Sequence, residues 1–257
     1  VALLDGQAEP VLTLEGVVQR FGGLVAVDGV SLSLGPRQRL AVIGPNGAGK
    51  TTLFRLIAGD MAPSEGRISL FGRDVTHMPA HRRARMGLSR TFQVTNLFGG
   101  LSVLDNVRLA VQARESSRWR FLAPIRQGDQ VGVAARRALE RAGIGSRAGD
   151  RVADLSHGEQ RQLEVALALA TEPRILLLDE PAAGLSAGER ARFRELLESL
   201  PRTLPLLLIE HDMSLALSLA DEVLCLHNGR PIALGPPGEV RNDATVQAVY
   251  LGRAVDA

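Results

Sequence analysis

Eight consecutive residues, Gly44, Pro45, Asn46, Gly47, Ala48, Gly49, Lys50 and Thr51, satisfy the pattern of a glycine-rich phosphate loop, and Thr52 adds a second hydroxyl. Glycines in such a loop let backbone N–H groups converge on a phosphate, and the helix that starts behind it adds a favourable dipole. The pattern brings the Lys50 ammonium to the outer phosphates and the Thr51 hydroxyl to a Mg²⁺ ion. Lys50 is the only lysine among 30 basic Lys and Arg residues. A chain that otherwise uses arginine has here a compact ammonium on a flexible stem, which argues for a role closed to a rigid guanidinium. Further along, the apolar run 175–178 ends in Asp179 and Glu180. Open α/β sheets place ligand chemistry at such strand ends. Asp179 can orient a Mg²⁺ shell and Glu180 can polarise a water as general base. Finally, Ser156 and Glu159 form an S-x-x-E capping box before a helical stretch. That box needs no ligand, yet a capping serine and the Gly158 N–H at a helix start equally make an anion site, and both readings stay open.

The elements that must position these groups follow from periodicity. Residues 40–43 read as a buried strand before the loop, and Leu53, Leu56 and Ile57 follow it at helical spacing. The runs 174–178 and 204–209 resemble parallel strands covered on both faces. Between them Phe193, Leu196, Leu197 and Leu200 recur at i, i+3, i+4 and i+7, an amphipathic helix. Strand-type residues over 11–18, 31–34 and 66–71 predict a strand-rich opening. Arginine-rich helical stretches at 79–86, 102–114 and 129–142 predict a mostly helical portion inserted between strands, with Ser102 and Asp105 as a cap. Residues 222–226 and 231–234 read as closing strands around the 227–230 turn, and 240–251 as a short helix. The stretch 114–128, with Trp119 among arginines, has no periodicity and reads as a surface excursion.

A composition of 45% hydrophobic and 23% charged residues in 257 positions fits one large globular domain or a domain with a subdomain. No apolar run approaches the length of about 18 residues that a membrane helix requires, so the chain itself is expected to be soluble. The N-terminus lacks a secretory signal pattern. Cys225 is the single cysteine, which excludes an internal disulfide, fits a reducing compartment and reads as a small buried hydrophobe. A net charge of +2 gives no ground for a nucleic-acid partner, and the arginine clusters at 82–90 and 114–141 read as solvated helix faces.

In their order along the chain, the phosphate loop at 44–51, Gln93 after Thr91 and Phe92, the signature at 155–159, the acidic strand end at 175–180 and His211 between Glu210 and Asp212 resemble the nucleotide-binding subunits of ATP-binding cassette (ABC) transporters. The resemblance covers nearly the whole chain. Within that family it is most similar to importer subunits for branched-chain and other hydrophobic amino acids, on residues 20–24, 44–54, 87–93, Leu97 and Phe98, 105–107, 156–164 and 248–252.

The resemblance implies an α/β fold: a P-loop NTPase (RecA-like) core with an antiparallel β subdomain and an inserted helical subdomain. A single ABC ATPase domain then spans 1–257, with the core and β subdomain at about 11–92 and 160–240, the helical subdomain with the signature at about 93–159, and a tail at 241–257. It implies ATP and Mg²⁺ as ligands. Gln93 would sense Mg²⁺ and the attacking water, His211 would contact the γ-phosphate, and Phe21 would stack on adenine. Ser156 and Gly158 would close over ATP held by a facing subunit, identical or paralogous, so two sites need two chains. Transmembrane permease subunits would dock on 94–104, with Leu97 and Phe98 as exposed anchors, and a substrate-binding protein would be an indirect partner. The chain would sit on the cytoplasmic face of the membrane.

Three residues depart from the family pattern: His157 and Glu159 in the signature, and Ser186 where many relatives carry aspartate. The Glu159 carboxylate would repel a γ-phosphate if it pointed inward, so Glu159 is not counted among the ligands. Urea or short-amide import, and lipid or polysaccharide export, are the alternative roles for such a subunit. The long coiled coil of DNA-repair relatives and the second cassette of translation relatives are missing, and the presence of both Glu180 and His211 argues against a switch without turnover.

Overall fold

The computed structural model describes residues 9–91, 97–114 and 130–250, and these form two compact units. The first comprises residues up to 88, 175–180 and from 201 onward; the second comprises 89–174 and 181–200. Its strands are β1 (Leu12–Phe21), β2 (Leu24–Leu34), β3 (Arg39–Ile43), β4 (Glu65–Leu70), β5 (Arg73–Asp74), β6 (Leu88–Arg90), β7 (Ile175–Asp179), β8 (Leu206–Ile209), β9 (Glu222–His227) and β10 (Arg230–Gly235). Its α-helices are α1 (Lys50–Ala58), α2 (Ala80–Arg85), α3 (Val103–Arg114), α4 (Gln130–Arg141), α5 (His157–Ala170), α6 (Ala187–Ser199), α7 (Met213–Leu219), α8 (Pro237–Asn242) and α9 (Ala244–Tyr250).

The central sheet runs in the order β10-β9-β3-β8-β7-β6, and β9, β3, β8 and β7 are mutually parallel. Every residue of β3, β7 and β8 is buried. That explains their apolar runs, 40–43, 175–178 and 206–209, because a parallel strand is covered on both faces. At the edge, β9 turns into antiparallel β10 through Asn228 and Gly229, both at positive φ, as a tight hairpin of matching twist requires.

A four-stranded antiparallel sheet, β2-β1-β4-β5, builds the rest of the first unit. Here the structure extends the sequence reading. Strand β2 begins at Leu24, seven residues before the expected alternation at Ser31, and meets β1 across the two-residue turn Gly22-Gly23. Asp28 and Gly29 obscured the pattern, yet Val27 and Val30 are fully buried. The C-terminal helix is likewise two helices, α8 and α9, broken at Asp243.

The second unit packs α3, α4 and α5 around Val107, Ala135, Leu139, Leu163 and Ala166. The α6 residues Phe193, Leu196 and Leu197 are buried as their spacing requires. Asn106, 2% exposed, accepts from the Phe98 N–H at 2.9 Å and donates to the Phe98 carbonyl at 3.1 Å. Thus the backbone of Phe98 is fastened while its ring stays exposed, whereas Leu97 packs against the helical core. The expectation of two exposed anchors therefore holds for Phe98 alone. Trp119 and most of the surface excursion lie outside the described residues.

One arginine overturns its sequence reading. Arg83, from the cluster read as a solvated face, is fully buried. Its guanidinium donates to the carbonyls of Leu56 and Ile57 at the end of α1, and to those of Val75, Thr76 and Met78. A cation suits the negative end of a helix dipole, and five carbonyls match the five donors of a guanidinium. Burial pulls the group down to about 10, opposed by Asp60 and Asp74, so it remains charged at neutral pH. Replacing Arg83 by Met strands those carbonyls, and we expect a loss of roughly 3 kcal/mol in urea unfolding; Lys, with three donors on one nitrogen, is expected to recover only part of it. A change below about 0.5 kcal/mol would show the cluster to be dispensable.

Candidate functional site

In the first unit the C-terminal ends of β3, β7 and β8 lead directly into Gly44, Glu180 and Glu210, which brings the sequence-predicted groups of all three segments to one edge of the parallel sheet. The loop 44–49 is shaped by close backbone approach. A Cβ on Gly44 would lie 2.3 Å from the Leu226 carbonyl oxygen, and one on Gly49 2.3 Å from that of Ala26. Both glycines also have positive φ, so no side chain fits at either position. Gly49 starts α1 without any side-chain cap, which leaves the first-turn N–H groups of that helix facing the loop.

Lys50 is 5% exposed, and its Nζ donates to the carbonyls of Gly44 at 2.7 Å and Pro45 at 3.0 Å. Burial lowers its pKa from the ordinary lysine value, while the carboxylate charges of Glu180, Asp179 and Glu210, in that order, pull it back up. The Thr51 hydroxyl is on an exposed residue and Thr52 is half-buried. Asp179 is buried at the end of β7.

Glu180 has φ of 44°, a left-handed backbone that is uncommon outside glycine. Its N–H is tied to the Ile209 carbonyl at 2.8 Å, so the strained turn is held by the neighbouring strand. His211 is about half exposed, with Nδ1 3.9 Å from Glu180 Oε2 and 3.8 Å from Glu210 Oε2. Phe21 ends β1 with 45% exposure, so its ring stands outside the core. Gln93 lies outside the described residues.

A divalent ion at this place would find oxygen donors, the Thr51 hydroxyl and the Asp179 carboxylate, as a hard cation prefers. Among the described residues no group of three or more His, Cys, Asp or Glu could hold a metal. Such an ion would therefore take its remaining ligands from bound phosphate and water, the usual arrangement for Mg²⁺. Cys225 offers no thiolate chemistry, since it is fully buried and burial pushes its thiol up to about 12.

In the second unit, the capping box of α5 forms as read: Ser156 Oγ accepts from the Glu159 N–H at 3.2 Å, and Glu159 Oε2 accepts from the Ser156 N–H at 2.8 Å. Glu159 Oε1 turns to Arg147 at 3.2 Å. Its charge is thus spent within its own unit, which accounts for the departure at this position. His157 Nε2 lies 3.3 Å from the Ala183 carbonyl, a pairing that needs the proton on Nε2. The sequence reading missed Glu189, which caps Ser186 and also reaches the Gly158 N–H at 3.0 Å. The signal was available, because Ser186 to Glu189 repeats the S-x-x-E pattern of Ser156 to Glu159.

Comparison with known proteins agrees with this geometry. Residues 27–183 match the model of the ABC transporter family, and residues 230–256 match that of the branched-chain amino acid ATP-binding cassette transporter. The chain is 40% identical over 256 residues to the high-affinity branched-chain amino acid transport ATP-binding protein LivG of Salmonella typhimurium, covering 96% of this chain and all of LivG. It is 38% identical to the protein BraF of Pseudomonas aeruginosa, described in the same words, with the same coverage. Among solved structures, the ADP conformation of MJ1267, an ATP-binding cassette of an ABC transporter, superposes with a TM-score of 0.85 at 28% identity, over 96% of this chain and 100% of that one. The phosphate loop, the acidic strand end and this full-length similarity together lead to one conclusion: the chain belongs to the ABC transporter family, as one of its ATP-binding, ATP-hydrolysing cassettes.

Proposed function

We propose that this chain powers the uptake of branched-chain or other hydrophobic amino acids, as one of two paired cassettes on the cytoplasmic face of a membrane permease. The observation that carries the solute class is the similarity to LivG and BraF along their whole length, joined to the match of residues 230–256. Among the described residues no helix is long and apolar enough to cross a membrane, so the path for the solute belongs to partner subunits. Phe98, exposed and held by Asn106, is the apolar group offered to such a permease.

ATP binds with its phosphates on the loop 44–49 and the first turn of α1, where Lys50 leaves the loop carbonyls for the phosphate oxygens. Phe21 stacks on adenine. Thr51 and Asp179, with Gln93, hold Mg²⁺, whose charge offsets that of the phosphates. A water oxygen attacks the γ-phosphorus, the bond to the β,γ-bridging oxygen breaks, and ADP departs with that electron pair. Glu180 takes the proton of the attacking water, and His211 donates a hydrogen bond to a γ-phosphate oxygen. Ser156 and Gly158 of the facing cassette complete the pocket, so turnover is tied to closure of the pair.

Replacing Lys50 by Ala removes the one buried cation of the loop, and ATP binding, followed with a fluorescent nucleotide, is expected to weaken at least about tenfold. Glu180→Gln is expected to retain ATP while turnover falls by about 10²–10⁴, with an ATP-dependent dimer on a sizing column. A parental rate in Glu180→Gln would refute the assignment of the base. The solute is tested by recovering the chain with its membrane partners and measuring ATP-dependent uptake in vesicles: leucine or isoleucine is expected to be transported, and uptake of urea or short amides in their place would overturn the amino-acid reading.

A further inference from the structure

Gly158 stands in the first turn of α5, and on the reading above its N–H meets the γ-phosphate of ATP bound to the facing cassette. In this chain that N–H already has an anion on it. Glu189, in the first turn of α6, accepts from it with Oε1 at 3.0 Å. The other oxygen of the same carboxylate, Oε2, accepts from the Ser186 hydroxyl at 2.7 Å and the Ser186 N–H at 3.0 Å. These bonds, the Ser186 hydroxyl first, then the Ser186 and Gly158 N–H groups, hold Glu189 below the usual carboxylate range, so it is ionised at neutral pH. Packing agrees with the hydrogen bonds: a Cβ on Gly158 would lie 2.8 Å from Glu189 Oε1 and 3.0 Å from its Cγ. Glu159, the acid of the α5 turn itself, is committed to Ser156 and Arg147.

We propose that Glu189 is a positioning residue that occupies the Gly158 N–H as an intramolecular stand-in for phosphate, and that ATP on the facing cassette must displace it before the pocket closes. The inference rests on the assignment of Gly158 to a phosphate. Its physical basis is that a backbone N–H is one donor, and two anions cannot both crowd it without mutual repulsion. When phosphate arrives, Oε1 gives way while Oε2 keeps its hold on Ser186. Engagement at the start of α5 is thereby transmitted to the start of α6, in the segment that follows Glu180. The contact also keeps unpaired cassettes from presenting a bare anion site to free phosphate.

The test is steady-state ATP turnover by the purified chain and by its membrane complex, with Glu189→Gln and Glu189→Ala. Gln keeps an acceptor of the same reach but removes the charge that competes with phosphate. The half-saturating ATP concentration is expected to fall about three- to tenfold in Glu189→Gln with kcat unchanged. In the nucleotide-free chain, hydrogen exchange at the Gly158 amide is expected to quicken in Glu189→Ala, which removes its acceptor. A purely structural cap would instead lower melting temperature and kcat without any fall in half-saturation. An unchanged or raised half-saturation in a folded Glu189→Gln chain overturns the proposal. Ser156→Asp in the Glu180→Gln chain, which keeps a helix cap but sets a charge against the facing phosphate, separates the two failures: if ATP still pairs these cassettes, the reading of the α5 start as a phosphate contact has itself failed, whereas loss of the pair with an unmoved Glu189→Gln sinks only the role of Glu189.

Discussion

A buried ammonium with no carboxylate against it is costly, and the first unit is arranged around making one tolerable. Lys50 rests on the carbonyls of Gly44 and Pro45, with the charges of Glu180, Asp179 and Glu210 close enough to favour its ionised form. Desolvation still outweighs them, so the ammonium gains by meeting a stronger anion than a carbonyl dipole. A polyphosphate is such an anion. Because three parallel strands end together, the cation, Asp179 and Glu180 at the end of β7 and the His211 segment share one edge of the sheet, where open α/β folds put their ligands.

Rigidity at that edge comes from both ends of α1. At its start, Gly44 and Gly49 allow the loop to lie against the backbones of Leu226 and Ala26 at distances no Cβ permits. At its finish, Gly59 caps the helix with positive φ, and Arg83 binds the exposed carbonyls of Leu56 and Ile57. The helix thus has a fixed cation at its negative end and a place for an anion at its positive end, and both follow from the same dipole.

Helix starts in this protein fall into two kinds. Helices α5 and α6 carry complete capping boxes, in which Ser156 and Ser186 satisfy the N–H groups of Glu159 and Glu189 from within the same turn. Helix α1 has none, and its donors remain for a ligand. Gly158 is an intermediate case, because its donor is met from another helix, by Glu189, and a contact borrowed from outside the turn can be exchanged without unmaking the helix. That difference separates caps that only build structure from one that can also respond to nucleotide.

Much of this was legible in the chain alone. The phosphate loop, the apolar runs of the parallel strands, the amphipathic spacing of Phe193, Leu196 and Leu197, and the Ser156–Glu159 box are local patterns, fixed by nearest-neighbour geometry and by burial on one face or two. What the sequence could not disclose depended on residues far apart in it. The fate of Arg83 was set by carbonyls 26 and 27 positions away, that of the Gly158 donor by a carboxylate 31 positions on, and the glycines at 44 and 49 were required by backbone carbonyls of Leu226 and Ala26. The first seven residues of strand β2 escaped notice through Asp28 and Gly29 because pairing with β1, not alternation, defines them. Sequence alone therefore determined which groups this protein brings to a phosphate, since residue type and short spacing dictate that chemistry. Only the tertiary structure decided which of their hydrogen bonds are already taken, because a donor's partner is chosen by proximity in space.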